Sequence, residues 1–444
     1  MLAQPPRIPG RFPMGILSEF SRDSLEFMLK IRQLGDVTLG YFGPFPSYFL
    51  SDPESIHDVL VTNADKYYKS SVVKNVLAPT AGNGIFTSDG SFWRRQRKLV
   101  QPAFHTRRIG AYADVMTRFT GEMLAEWRDG EARKIDDDMT HLTMRIICKT
   151  LFDAEVKEEV EELGGALTHL FVLTDKRFNQ IPTVPYWVPT KLNNTLRKSV
   201  VVVDGLLKRF IDERRALGED KGDLLSMLLA AQDEDGSVMT DQQVRDEAMT
   251  LFAAGHETTA VTMMWTWYLL SQNPQVEAKL HEELDRVLAG RLPTLEDLPQ
   301  LKYTEMVIKE ALRIFPPAWG TTREPIEDVT VGGYPVKKGS SVFINIYGLH
   351  RDARYFPNPD VFEPERFSPE REKDIPKYAY LPFGGGPRVC IGNAFAMMEA
   401  RLILATMAQR YRLELAPGQV IKPERQFTLR SKYGMNMIVR RRSA

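Results

Sequence analysis

The sequence predicts a mainly helical protein with a smaller strand-rich portion, on three observations. Apolar residues recur at helical spacing from about residue 52 to 290 and again beyond residue 392. The segment "DQQVRDEAMTLFAAGHETTAVTMMWTWYLLSQNP" is long enough for one helix of about thirty residues, and it is apolar around much of its circumference, as a helix through the molecular centre would be. Alternating β-branched and aromatic residues are confined to about 36–50, about 320–345 and the C-terminal end. At 444 residues the chain exceeds the size at which one core usually stops growing, but no composition shift marks a boundary. Residues 1–444 therefore read as a single domain.

Each element has its own justification. The opening "MLAQPPRIPGRFPMG" lacks a charged stretch followed by an apolar one, so it reads as a proline-punctuated lead-in and not as a secretory signal. "DVTLGYFGPFPSYFL" (36–50) has the composition of strands joined by a turn. "ADVMTRFTGEMLAEWRDG" and "SVVVVDGLLKRFIDERRALG" carry helical periodicity, and "LTMRIICKTLF" places Cys148 on a buried helix as a small core residue. "TEMVIKEALRIF" is helical until Pro316-Pro317 stops it. Short strands follow in "VTVGGYPVKKGSSVFINIY", then the irregular "HRDARYFPNPDVFEPERFSPE", then the helical "NAFAMMEARLILATMAQRY".

Bulk composition excludes several function classes. Lysine plus arginine number 58, as do aspartate plus glutamate, so no overall field draws the chain to nucleic acid. No apolar run approaches the roughly 18 residues of a membrane span, and the expected location is the cytoplasm. Two cysteines cannot make a disulfide framework.

The second cysteine, Cys390, lies in "FGGGPRVCIG" (383–392), a pliable loop before a helix. A zinc site needs paired ligand spacing that is lacking, and "HETTA" (256–260) has Ala260 where a second zinc histidine would stand. The loop has neither the G-K-[ST] of a phosphate-binding loop nor a G-x-G-x-x-G turn. A Cys–His hydrolase with a distant histidine stays open on the residues alone. A thiolate ligand to heme iron fits the loop well: the helix N-terminus directs N–H groups and positive potential at the sulfur, and the glycines allow close approach to a flat macrocycle. Arg388 is placed to reach an anionic propionate.

With those residues in place, the chain resembles the cytochrome P-450 superfamily of heme-thiolate monooxygenases. The signature F-x-x-G-x-R-x-C-x-G is matched at Phe383, Gly386, Arg388, Cys390 and Gly392. The resemblance implies that family's fold, with the long central helix over heme b (iron protoporphyrin IX) and Cys390 as axial iron ligand. It implies Thr258 and Glu257, in "AAGHETTA", as the alcohol–acid pair that delivers protons beside bound dioxygen. Trp93 and Arg97 match W-x-x-x-R, and with Arg388, Phe383, Arg323 and His350 they form the implied cofactor-binding set. Glu310 and Arg313 of "KEALR", with Arg366 of "PERF", are implied as a structural network behind the heme.

The implied reaction puts one oxygen atom from O2 into a C–H bond of a lipophilic small molecule: a terpenoid, a carotenoid-like fragment, or an alkyl chain or fatty acid. By family position the pocket is expected from Leu77, Phe86, Ala254, Ala318, Trp319 and Phe427, with "IPTVPYWVP" (181–189) as an apolar lip. No lysine or arginine occurs from Gln33 to Asp65, which favours a neutral substrate. Only about fifty residues follow Cys390, so electrons are expected from a separate ferredoxin or flavodoxin with its reductase, docking on basic charge near Arg94 and Lys98. A peroxide-driven peroxygenase would not need the acid–alcohol pair, and a heme-thiolate sensor would need no substrate-sized cavity.

Overall fold

The central segment forms one uninterrupted helix, Asp241–Gln272. Thr240 and Gln243 cap its start reciprocally, each side chain bonding the other's backbone N–H. The computed structural model describes residues 4–154, 157–178, 180 and 184–442. Helices Ile135–Phe152, Lys191–Leu217, Lys302–Ile314 and Asn393–Ala408 pack around the central one. Trp265 and Trp267 are fully buried on it, each such side chain contributing roughly 1.5–3 kcal/mol by leaving water. The sequence expectation of a centrally buried helix is met.

The strand-rich portion is a five-stranded sheet in the order Val37–Phe42, Phe45–Leu50, Ser341–Ile344, Thr321–Pro325, Tyr67–Lys69. The first two make the expected hairpin, and the second joins Ser341–Ile344 in parallel. A three-stranded sheet (Ala132–Lys134, Asn436–Arg441, Tyr411–Leu415) and a hairpin of Pro423–Arg425 with Leu429–Ser431 account for the C-terminal strands. Tyr67–Lys69 and Ala132–Lys134 lie inside the stretch read as helical. At three residues each they are too short for a period to register.

Glu310, Arg313 and Arg366 meet in the interior. The Glu310 carboxylate accepts from Arg313 Nε (2.7 Å) and Nη2 (2.8 Å), from Arg366 Nε (3.2 Å) and from the Glu363 backbone N–H (3.0 Å). Arg313 also donates to the carbonyls of His350 (2.8 Å) and Pro359 (2.7 Å), so it pins the irregular stretch to its helix. All three charged side chains are buried. Cys148 is sealed in the core, where burial pushes its thiol up to about 12 and leaves it inert.

Candidate active site

The glycine loop closes on itself before it presents the cysteine. The Cys390 N–H donates to the Phe383 carbonyl at 2.9 Å, across a turn in which Gly384 (φ 69°) and Gly386 (φ 67°) are left-handed. Gly386 has a second constraint: a Cβ there would lie 1.8 Å from the Leu60 carbonyl oxygen. Arg97, on helix Gly90–Val100, donates to the Val389 carbonyl at 2.8 Å and fixes the loop beside the cysteine. Cys390 lines a cavity of about 320 Å³, and its side chain is exposed to that space. Burial pushes its thiol up, partly offset by the Gly392 N–H, Arg97 and Lys69. The helix N-terminus therefore does not by itself make Cys390 a thiolate; a metal that coordinates the sulfur would take the proton off.

Four cations line this cavity at one edge: Lys69, Arg97, Arg323 and Arg388. Sequence reasoning named three of them and missed Lys69. Lys69 sits directly across from Arg323 in the antiparallel pairing of Tyr67–Lys69 with Thr321–Pro325, so two like charges share one face. Arg388 stacks on Trp93 (4.1 Å from guanidinium carbon to ring centroid) and donates to Asp89 and to the Ser88 carbonyl. Its Nη1 is buried and has no partner. Burial depresses all four, Lys69 well below the usual lysine range, with Arg323 and Arg388 adding repulsion there, and Arg323 down to about 10. Asp89, bonded to Arg388 and Lys74, is the nearby anion. Such a cluster calls for a ligand with more than one negative charge.

The facing wall is the central helix, through Ala254, Gly255, Thr258, Thr259 and Thr262. Thr258 Oγ1 donates to the Ala254 carbonyl at 2.7 Å, the back-bond expected to widen the helix there. A Cβ on Gly255 would come within 2.8 Å of the end of the Ile147 side chain on the neighbouring helix, which would have to shift to admit it. Phe86 and Ala318 also line the cavity.

Several expected residues stand elsewhere. Glu257, about 100° around the helix from Thr258, turns its side chain away from the cavity. Its carboxylate accepts from Arg430 Nε (2.7 Å) and from Thr428 Oγ1 (2.7 Å), and it also binds Arg430 Nη2. Burial alone would raise Glu257, but the Arg430 guanidinium holds it below the usual carboxylate range. His350 does not reach the cavity. Its Nε2 accepts the Leu381 N–H at 2.8 Å and its Nδ1 meets the Arg313 carbonyl at 3.2 Å, so both nitrogens serve the fold, and burial keeps the ring neutral with a value down to about 3.

Trp319 also stands outside the cavity lining. It packs on Phe20 and Phe343 and donates to the Gln426 carbonyl at 3.2 Å. Leu77 is core in helix Ser71–Ala81, which contributes no side chain to the cavity. Phe427 lines a separate polar cavity of about 740 Å³, with its ring edge-on to Phe86 at 6.3 Å. Residues 181–183 of the proposed lip lie outside the described residues; Trp187, beyond them, is exposed.

A thiol open to a cavity, a cation-lined edge with an unmet buried donor, and a threonine-notched helix opposite fit a flat, iron-bearing dianion whose two carboxylates meet the cations. These are the features of a heme-thiolate protein. The chain matches the family profile described as Cytochrome P450 over residues 5–437, and it belongs to that family. It is 41% identical over 428 residues to cyclooctatin synthase of Streptomyces melanosporofaciens, covering 95% of this chain and 92% of the other. It is 35% identical over 418 residues to cyclooctat-9-en-7-ol 5-monooxygenase of the same organism, covering 93% and 90%. It is 33% identical over 425 residues to pentalenene oxygenase of Streptomyces avermitilis, covering 94% and 92%. The protein is thus a cytochrome P450 monooxygenase, an oxidoreductase that uses heme, O2 and an electron donor. Among the described residues no helix is long and apolar enough to cross a membrane.

Proposed function

We propose that this monooxygenase hydroxylates a cyclic terpenoid, either a hydrocarbon or one bearing few oxygens. The observation that carries this is the distribution of polarity around the cavity. Its charged side chains gather at the edge near Cys390, where the propionates would be held by Lys69, Arg97, Arg323 and Arg388. The remaining wall, including Ile85, Phe86, Ile147, Leu251, Ala254 and Ala318, offers apolar contact and a row of threonines. An uncharged ring system loses nothing by entering such a space, whereas a carboxylate would leave water without a dedicated partner. The names of the relatives, a cyclic alkenol and pentalenene among them, support the same class.

Heme held by Cys390 supplies the oxidising chemistry when bound. The chain's own residues do the rest. The apolar wall excludes water and orients the C–H bond to be attacked. Thr258, whose hydroxyl stands in the cavity, holds a proton where oxygen is activated. Glu257 is a carboxylate kept in reserve: while Arg430 and Thr428 hold it, it faces the polar cavity, and it must exchange Arg430 for water before it can serve Thr258. A ferredoxin or flavodoxin with its reductase supplies electrons, docking at exposed Arg94, Arg107 and Arg108 near helix Gly90–Val100. Lys98 contributes less there than expected, because it is engaged by Glu234.

The test is the absorption spectrum of the dithionite-reduced, carbon monoxide-bound protein beside Cys390→Ala, followed by titration with cyclic terpene hydrocarbons and with fatty acids. A Soret band at the thiolate position, lost in the variant, and a spin-state shift with the hydrocarbons alone are expected. A shift with fatty acids alone would overturn the substrate class. A neutral-ligand band from folded protein would overturn the role of Cys390.

A further inference from the structure

Two walls of the substrate space, Ile85 and Phe86, stand on the stretch Gly82–Ser88, which joins helix Ser71–Ala81 to helix Gly90–Val100 and belongs to no helix or strand itself. The stretch is braced from within. Thr87 Oγ1 donates to the Gly82 carbonyl at 2.7 Å, and Ser88 Oγ donates to the Gly84 carbonyl at 2.8 Å. Two carboxylates adjacent in sequence fasten it to the central helix. Asp246 Oδ2 accepts the Asn83 N–H at 2.7 Å, and Glu247 Oε2 accepts the Ile85 N–H at 3.0 Å. The approach is close: a Cβ on Gly84 would lie 2.6 Å from the Asp246 carbonyl oxygen. One turn further along the same helix, Thr250 and Leu251 line the cavity.

The two fastenings differ in their surroundings. Asp246 also accepts from Arg245 Nη1 (3.1 Å) and Gln242 Nε2 (2.8 Å), so its charge is compensated. Glu247 is fully buried, and its second oxygen accepts from Gln96 Nε2 at 3.1 Å. The charged group that acts on it is Asp246, which repels it. The nearby cations are engaged elsewhere: Arg95 by Asp233, Arg245 by Asp204, and Lys74 by Asp89. Burial, partly offset by the Ile85 and Gln96 donors, raises the Glu247 carboxyl to about 7.

We propose that Asp246 and Glu247 are positioning residues that set the width of the substrate space by holding Ile85 and Phe86, Asp246 as a permanent fastening and Glu247 as one that loosens on taking up a proton. The carboxylate serves both donors with charge-assisted bonds, about twice as strong as neutral ones. The neutral acid holds the Ile85 N–H more weakly and sets an O–H against the Gln96 N–H. The braced stretch then yields as a unit. Bulky ligands gain room beside Phe86, and small ligands are indifferent. The inference rests on the reading of this cavity as the substrate space of a monooxygenase, and adds that its discrimination by size depends on pH.

The experiment uses the ferric, heme-loaded protein and two isocyanides, which bind heme iron and carry no titrating group: methyl isocyanide and adamantyl isocyanide. Soret titrations give both Kd values from about pH 5.5 to about pH 8.5. The ratio of the adamantyl to the methyl Kd should be about tenfold greater at the upper end of the range. Its midpoint should fall at about 7, with the methyl value nearly constant. Glu247→Gln, which cannot ionise, should give one ratio at every pH, near the wild-type acid value. Gln96→Leu removes a donor that favours the charged form and should move the midpoint up by about one pH unit. Asp246→Ala should lower the ratio at both ends of the range while the step remains. A wild-type ratio that is flat with pH, or a step that survives in Glu247→Gln, overturns the proposal, and an unchanged ratio in Asp246→Ala removes Asp246 from it. If Glu247→Gln does not take up heme, an unmoved midpoint in Gln96→Leu overturns it instead. A carbon monoxide complex without the thiolate Soret band would overturn the monooxygenase reading and this inference together, whereas a normal Soret band with a flat ratio overturns this inference alone.

Discussion

Replacing Arg430 by methionine isolates what holds Glu257. The variant leaves a buried carboxyl with Thr428 as its remaining strong partner. In the intact protein the ion pair outweighs burial, so the folded Glu257 lies below its usual range. That stabilisation is complete above the unfolded value of about 4.3 and is lost only as pH falls through the lower folded value. In Arg430→Met burial prevails and the carboxyl rises above its usual range. The deficit is then least at acid pH, where the intact protein has also lost the ion pair, and it grows as pH rises towards the new folded value. Breaking a sealed ion pair costs about 3–5 kcal/mol. Because 31% of the Arg430 side chain reaches solvent, about 2–3 kcal/mol is the expected deficit near pH 8.

The choice of assay follows from size. For a chain this long, 1 kcal/mol moves the melting temperature by only about 1 °C, so denaturant midpoints at two pH values discriminate better. Adding Glu257→Gln to Arg430→Met should recover at least half of the loss, since it removes the charge that burial penalises. A deficit equal at pH 5 and pH 8, or a double variant no better than the single, would refute the account of Glu257 as a charge held by Arg430.

Three further outcomes are expected. Lys69→Met should act with opposite signs on the two forms of the protein: the heme-free chain gains about 1 kcal/mol by losing a desolvated cation that Arg323 and Arg388 repel, less the contact of its ammonium with the Phe86 ring at 3.5 Å, while heme passes to apomyoglobin about tenfold faster. Slower or unchanged heme loss would remove Lys69 from the propionate cradle. Gly386→Ala should abolish heme uptake, because the new Cβ meets the Leu60 carbonyl, whereas Gly384→Ala meets no atom within 4 Å and should cost only about 1 kcal/mol of left-handed strain. Pulsed proteolysis and heme content separate the two. Glu310→Gln strands the buried cations Arg313 and Arg366, so the folded state should lose about 3–5 kcal/mol and the yield of heme-loaded protein should collapse; near-normal yield would show that the network is dispensable.

What was legible in the sequence divides along a physical line. The cysteine loop could be read because its chemistry demands particular residues at fixed short spacing: two left-handed glycines, an arginine two before the ligand, a helix just after it. The central helix could be read because a helix of that length, apolar all round, is stable in water only when other elements enclose it. Lys69 could not be read. It lies on a strand too short for any period, and its partner Arg323 is brought opposite it by sheet register alone. Arg430 carries no local signal either; it becomes a ligand of Glu257 because the Pro423–Ser431 hairpin folds back against the central helix.

The motif "GHETTA" shows where such reading must stop. Adjacent residues on a helix point in different directions, so a shared motif does not imply a shared site. Thr258 and Thr259 face the cavity while Glu257, between them and His256, faces the polar cavity behind. The acid next to these threonines in sequence is therefore bound elsewhere, and the acid that meets Thr259 in space, Glu399, comes from a helix after the cysteine. The hairpin that grips Glu257 also presents Phe427 against Phe86, a wall of the substrate cavity. Its turn is tied at Gln426 to Trp319, at Phe427 to Asp175 and at Leu429 to Pro317 and Trp265. A ligand that displaces Phe86 pushes on the same short turn that holds Arg430 to Glu257. Phe427→Ala should therefore loosen the dependence of product formation per electron on substrate size, with little change in binding of the smallest substrates. Equal size dependence in variant and wild type would mean that the turn is only a wall.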